Sequence, residues 1–308
     1  MALTVADKTK AQRIDVRAEG KWWTKLAGTG TLYPSGGVVV YTDITQGQLG
    51  NCWYLSSLLS IALRQNGATF LQDRMLDNGD EFVFCSLWDG GKRQHLMKAK
   101  KQFALQESGS GAAMKTENSA LWVSMFQVFG AAFMSNSFDA TKIVYEPKNP
   151  NLIRMNSGFP KCALAMLTGK DAVRTAIAGQ YNAMLGHHAA GYPMVVQSKQ
   201  TPVLQGMFPG PGGIALNHTI IKGIVGSHAY AVWEVGTHQF GPVGVDNPPV
   251  PAVRLYNPWG SHIKRYTTTT TWQAVTTAGQ GDFWIPWTAF EIFFDCVDHV
   301  DEALGNAV

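Results

Sequence analysis

Gln46-Gly47-Gln48-Leu49-Gly50-Asn51-Cys52-Trp53-Tyr54-Leu55 is a polar, glycine-bearing loop that runs straight into an apolar segment. From Asn51 onward Tyr54, Leu55, Leu58, Leu59 and Ala62 recur at three- and four-residue steps, which predicts one face of an amphipathic helix. The first amides of a helix lack internal partners, and the macrodipole places partial positive charge beside them. A thiol at that point is expected to titrate below the ordinary value of about 8.5. Gln46, upstream of Cys52, is placed to aim its side-chain amide at an oxyanion forming beside the sulfur. On this stretch alone, an inert buried cysteine at a helix start accounts for the pattern as well as a reactive thiol does.

Composition narrows the class. A chain of 308 residues, 45% hydrophobic and 15% charged, buries a full core and is not disordered by composition. Net charge is +3 and the basic residues are scattered. The densest run, Lys98-Ala99-Lys100-Lys101, reads as a solvated loop or strand end, so no nucleic-acid partner is expected. No apolar run reaches the length of about 18 residues that spans a bilayer, so no membrane association is expected. Met1 to Arg17 is polar and mixed in charge, unlike a secretory signal, which predicts a cytoplasmic protein. Cys52, Cys85, Cys162 and Cys296 lie far apart with no Cys-x-x-Cys pair, which argues against a disulfide framework and a structural zinc site.

Outward from the nucleophile region, residues 1–20 read as a loose arm. Phe82 to Trp88 reads as a buried strand closed by the Asp89-Gly90-Gly91 turn, and Ala120 to Met134 as a second helix. Lys170 to Leu185 reads as a helix ended by Gly186. Beyond it Pro193–Gln197, Ala229–Val235, Val253–Tyr256 and Asp282–Ile285 read as strands. Lys199 to Gly213, rich in proline and glycine, is expected to be a mobile surface loop. A helix-rich front half followed by a strand-rich back half, dividing near residues 148–158, predicts an α+β fold in two lobes.

A thiolate nucleophile needs a base, and the base needs an orienter. His228 stands at the mouth of the strand Ala229-Tyr230-Ala231-Val232-Trp233, after Gly226-Ser227. Asn257 closes Val253-Arg254-Leu255-Tyr256 and precedes Pro258-Trp259-Gly260. Neighbouring strands would bring the two ends together, the Asn257 carbonyl accepting from one imidazole nitrogen while the other faces the sulfur. Trp259 would shield that bond from water. A lone histidine is more commonly a satisfied structural residue; the chain order Cys, His, Asn is what favours the catalytic reading.

The loop and helix start from Gln46 to Leu55 resemble the nucleophile motif of calpain-type cysteine proteases. Gly226-Ser227-His228-Ala229-Tyr230 is similar to their histidine motif, and Leu255-Tyr256-Asn257-Pro258-Trp259-Gly260 to their asparagine motif. Leu121-Trp122-Val123-Ser124-Met125-Phe126 resembles the helix supporting their first lobe. Gly281-Asp282-Phe283-Trp284-Ile285-Pro286-Trp287, with Phe290 and Phe293-Phe294, resembles the strand and helix that close their core. The likeness runs from about Gly28 to about Val300. It implies a two-lobed, papain-related core: residues 21–152 as a first lobe carrying Gln46 and Cys52, and 153–308 as a second carrying His228 and Asn257. The cleft between them would hold an extended peptide. In that chemistry Cys52 is the nucleophile, His228 the base and Asn257 its orienter. Gln46 and the Cys52 amide form the oxyanion hole, and Trp259 covers the site.

Departures from the family pattern bear on regulation. Of the acidic clusters that align calcium-gated members, the first lobe keeps Asp43 and the closing strand keeps Asp282. After Asn257-Pro258-Trp259-Gly260 the chain reads Ser261-His262-Ile263-Lys264-Arg265 where the family carries acids. Calcium takes six to eight oxygens, several from carboxylates, so the expectation is a core without metal or other cofactor. His187-His188 is discounted as a metal pair, because adjacent helical residues point to different faces. Asn51 stands where many relatives have Asp and reads as a helix cap. Two other readings keep the same residues: deamidation or acyl transfer by the same triad, and a catalytically silent protease-shaped binding protein. The intact set of Gln46, Cys52, His228 and Asn257 argues against the silent form.

Overall fold

The computed structural model describes residues 3–15, 22–26, 31–47, 49–77, 79–90, 92–107, 113–114, 120–134, 143, 145, 152–200, 220–221, 223–241, 248–260, 264–266, 272–274 and 281–304. The expected mobile loop falls, beyond residue 200, outside these residues. Among them no helix is long and apolar enough to cross a membrane. The fold is α+β. Its helices are α1 (Cys52–Ala62), α2 (Gly67–Gln72), α3 (Leu121–Gly130), α4 (Pro160–Thr168), α5 (Tyr181–Ala189) and α6 (Trp287–Phe293).

The helix expected at Cys52 begins there, but it is not amphipathic. Every residue from Trp53 to Ile61 is buried, the signature of a helix enclosed on all sides. Its serines are satisfied locally or across the packing surface. Ser57 Oγ donates to Trp53 O at 2.8 Å, Ser60 Oγ to Ser57 O at 2.9 Å, and Ser56 Oγ to Ala229 O at 2.9 Å. Around α1 one hydrophobic cluster gathers Trp53, Tyr54, Trp122, Phe126, Phe129 and Phe133, and it continues through Met155 to Leu167.

Two sheets flank this cluster. One is β1 (Gln12–Arg13), β5 (Gln94–Lys100), β4 (Phe82–Trp88) and β3 (Met75–Asp77), in that spatial order, with β1 parallel to β5 and the others antiparallel. The other pairs β2 (Trp22–Leu26) with β6 (Gln102–Glu107) and β6 with β7 (Ala113–Met114). Seven strands among the described residues of the front half correct the expectation of a helix-rich first lobe. The lysine run hid one of them. In β5, Met97 and Ala99 point inward while the flanking lysines are only partly buried, a period of two that a charge run masks. Lys100 then meets Glu81 at 2.9 Å, and Lys101, nearly buried, meets Asp77 at 2.8 Å. Residues 3–15, expected as part of a loose arm, lie against the edge of this sheet. Ile14, 1% exposed, is drawn into the core and its amide donates to Lys98 O at 2.8 Å.

A second cluster, built on Tyr230, Phe283, Phe290, Phe293 and Phe294, belongs to a six-stranded antiparallel sheet. Its order is β16 (Asp282–Pro286), β13 (Val250–Tyr256), β12 (Ala229–His238), β9 (Met194–Ser198), β17 (Phe294–Val300) and β8 (Ala172–Ala176). The short pairs β10 (Ile220–Ile221) with β11 (Ile224–Val225), and β14 (Lys264–Tyr266) with β15 (Trp272–Ala274), accompany it. The helix expected over 170–185 is instead strand β8 followed by α5. Val173 and Thr175 favour an extended chain, β8 finds its partners on β17, and Gly179 at φ +72° breaks the segment before α5 starts. Nor does Gly186 end α5. Gly191, at φ +76°, does so: its N–H donates to His188 O at 2.9 Å and Tyr192 N–H to His187 O at 3.0 Å, a Schellman closure.

The two clusters meet along α1 and β12. Arg64, just past α1 and buried, donates to Val232 O at 2.9 Å and Trp233 O at 2.6 Å and faces His188 Nδ1 at 2.9 Å. The register of β12 against β13 shifts between Val232 and Glu234, so these carbonyls sit at an irregularity in the ladder. Burial pushes the Arg64 guanidinium down to about 10. Arg64→Ala leaves buried carbonyls without donors and is expected to destabilise the protein by about 2–4 kcal/mol. Urea denaturation checks this; an unchanged midpoint contradicts the role given to Arg64.

Candidate active site

Cys52 is the first residue of α1 and half-buried. The backbone amides of Ala229, Trp53 and Cys52 itself face its sulfur and favour the thiolate, but burial outweighs them and pushes the thiol up. This corrects the expectation of a lowered value. The helix terminus supplies the amides as expected, yet the enclosure that buries α1 also strips water from the thiol. The residue is held tightly from behind. Trp53 Nε1 donates to Met155 O at 2.9 Å, and a Cβ added at Gly158 would stand 2.4 Å from the Trp53 ring. A side chain there would push on the residue next to the thiol.

Because the Ala229 amide faces the Cys52 sulfur, the preceding residue, His228, stands next to it along the chain. Ser227, at φ +53°, turns the chain from β11 into β12 and sets His228 at the strand mouth. The His228 main chain is fixed by Ser198. His228 N–H donates to Ser198 Oγ at 2.9 Å, and Ser198 N–H to His228 O at 2.9 Å. Sequence reasoning missed Ser198; it lies at the end of a strand with no local signal to mark it.

His228 and Asn257, each 2% exposed, meet at 3.0 Å between Nε2 and Oδ1. The Trp259 backbone N–H also points at that Oδ1, at 3.1 Å. A backbone amide can only donate, so the atom receiving it is the carbonyl oxygen and not the amide nitrogen. His228 Nε2 is therefore the donor in the pair. In the neutral ring Nδ1 is then the basic nitrogen. The Trp259 ring lies 5.0 Å from the His228 ring, centroid to centroid, and Tyr230 packs edge-on at 4.9 Å. Trp259 thus contributes a ring beside the imidazole and an amide to its orienter.

Gln46 lies in the loop before Cys52. Its backbone N–H donates to Pro258 O at 2.7 Å, joining the loop before Cys52 to the segment after Asn257. Its side-chain Nε2 donates to Leu49 O at 2.7 Å, which leaves the second N–H of the same amide for another acceptor. Asn51 precedes α1 as expected, but its side chain makes no capping bond, and its buried Oδ1 has no hydrogen-bond partner among the described residues. The retained acids are engaged elsewhere. Asp43 accepts from Trp122 Nε1 at 2.8 Å and Ser35 Oγ at 3.1 Å. Asp282 Oδ2 accepts from Arg254 at 2.9 and 2.7 Å. Each carboxylate holds structure together where the family resemblance would place a calcium ligand.

The chain matches no protein-family model and no curated protein.

Proposed function

We propose that this chain is a calpain-type, papain-related cysteine endopeptidase, its two lobes meeting along α1 and β12 with the active site between them. The observation that carries the reading is the buried His228–Asn257 pair, one residue from the amide that faces the Cys52 sulfur.

In this reading a peptide binds in extended form and Cys52 gives its proton to His228 Nδ1 as the sulfur attacks the scissile carbonyl carbon. Burial raises the free thiol, so the proton transfer to His228, not a standing thiolate, supplies the nucleophile. The Cys52 N–H and the second N–H of Gln46 hold the oxyanion. Collapse of the tetrahedral intermediate breaks the C–N bond, and His228 protonates the departing amine. The thioester is then hydrolysed by a water whose proton His228 takes, and the proton returns to sulfur as the acid leaves. Asn257 keeps the imidazole in the Nε2–H form throughout. With Asp43 and Asp282 engaged by Trp122, Ser35 and Arg254, this core works without calcium.

The test is incubation with a denatured protein mixture, with and without excess chelator, followed by identification of new termini. New termini formed equally in both arms, and absent with Cys52→Ala, support the reading. Mass shifts of single amides without new termini point to deamidation, and no Cys52-dependent product to a silent binding protein. Loss of cleavage in chelator contradicts calcium independence. Gln46→Ala is expected to lower kcat by about 10²–10³-fold with little change in KM, because its amide meets charge that exists only after attack. Steady-state kinetics on a peptide from the identified cleavage sites checks this; an effect confined to KM contradicts it.

A further inference from the structure

Away from the cleft, His187, His299 and Asp301 present three ligand atoms within 4.8 Å of one another. His187 lies in the last turn of α5, His299 is next to last in β17, and Asp301 follows that strand. The His187 and His299 rings stack at 4.2 Å. His299 is 3% exposed, and its Nδ1 stands 2.8 Å from Asp301 Oδ1. Yet that buried nitrogen makes no aligned hydrogen bond. His299 Nδ1 and Asp301 Oδ1 thus already lie side by side, with the His187 ring against the same imidazole.

We propose that His187, His299 and Asp301 bind a divalent transition-metal cation of the zinc class, with water completing the coordination. Two imidazoles and one carboxylate suit zinc and its neighbours; calcium and magnesium prefer all-oxygen shells. A four-coordinate ion with bonds of about 2.0–2.1 Å holds its ligands about 3.4 Å apart, so side-chain rotation must bring the more distant atoms inward and part His299 Nδ1 from Asp301 Oδ1, now 2.8 Å apart. His188 takes no part, since its Nδ1 faces Arg64. Asp298, the other buried acid nearby, is held by Arg174 at 2.7 and 2.6 Å.

The ion would staple the end of α5 to the end of β17. Met194 pairs with His299 in β9, while Ser198, four residues along, holds His228. At about 3.3 Å per residue that separates the two places by about 13 Å, so the metal is not part of the Cys52 chemistry. The proposal is independent of the protease reading.

The test uses the full chain carrying Cys52→Ala, which removes the cleft thiol, and adds His187→Ala or Asp301→Asn. His299 is buried, so these two partly exposed positions carry the test without emptying the core. Zn²⁺ is titrated by calorimetry and Co²⁺ by visible absorption. The expected result is one equivalent bound, Co²⁺ d–d bands without a sulfur charge-transfer band, and affinity lower by at least about tenfold in each variant. Zn²⁺ should also raise the melting temperature of the parent and not of the variants. No binding, unchanged affinity in both variants, or a sulfur charge-transfer band would overturn the proposal.

Discussion

Cys52→Ala is expected to lower peptide-bond cleavage by roughly 10⁴–10⁶-fold while leaving the fold intact. In the proposed reaction the sulfur forms and breaks the covalent bond, and alanine leaves a methyl group that cannot attack. What survives is binding and the oxyanion donors, which alone give a small residual acceleration. Stability should change little at neutral pH, because alanine favours a helix and the thiol it replaces is neutral there. Kinetics and thermal denaturation on the same preparation check both halves. Loss of activity together with loss of structure would place Cys52 among the core residues and return its inert reading.

Asn257→Ala is the second large effect, and it acts on rate and stability together. The His228 Nε2–H and the Trp259 N–H share one acceptor, Oδ1, and both lose it. A buried donor left without an acceptor costs about 1–3 kcal/mol, so about 2–5 kcal/mol is expected for the pair. The imidazole is then free to change tautomer and turn, which removes Nδ1 from the thiol. A fall in kcat of about 10³-fold or more is expected, with KM little altered. Asn257→Asp restores an acceptor at the same place and should recover most of the stability and part of the rate. Equal kinetics in wild type and Asn257→Ala would separate the asparagine from catalysis altogether.

The residues of the candidate site stand out in the chain because each has a local signal. Cys52 falls where a glycine-bearing loop meets an apolar helix. His228 and Asn257 each end or begin a strand with a turn beside it, and neighbouring antiparallel strands bring those ends together. What could not be read is what comes from far along the chain. Ser198 holds His228, yet nothing around it distinguishes it from any strand-end serine. The enclosure that raises the Cys52 thiol arises from packing on all sides of α1, whereas the local pattern showed one face.

The fold was legible unevenly for the same reason. Strands β4, β9, β12, β13 and β16 have apolar centres that mark their positions, although β12 runs on to His238 and β13 already starts at Val250. β5 carries lysines between its buried Met97 and Ala99 and was concealed by their charge. Helix α4 was overlooked although its signals were present: Pro160 stands at its first turn and Gly169, at φ +72°, caps its end. Segment 170–185 misled because alanines and a late glycine imitate a helix and its stop. The pairing of Ala172–Ala176 with a strand more than a hundred residues away decided otherwise. His187 and His188 face different partners, Arg64 lying against His188 and His299 against His187. The partner His187 does have, His299, is visible only once α5 and β17 are folded together.

The central claim is that Cys52 and His228 act as one unit. The most direct measurement is the alkylation rate of Cys52 by iodoacetamide across pH, in wild type and in His228→Ala, since it needs no substrate. Burial raises the thiol, so a Cys52 without its base is protonated at neutral pH and labels only above the ordinary thiol value of about 8.5. With His228 to take the proton, Cys52 is predicted to label rapidly through the neutral range and to lose that reactivity in His228→Ala. Matching rates and pH profiles in the two proteins would contradict the account.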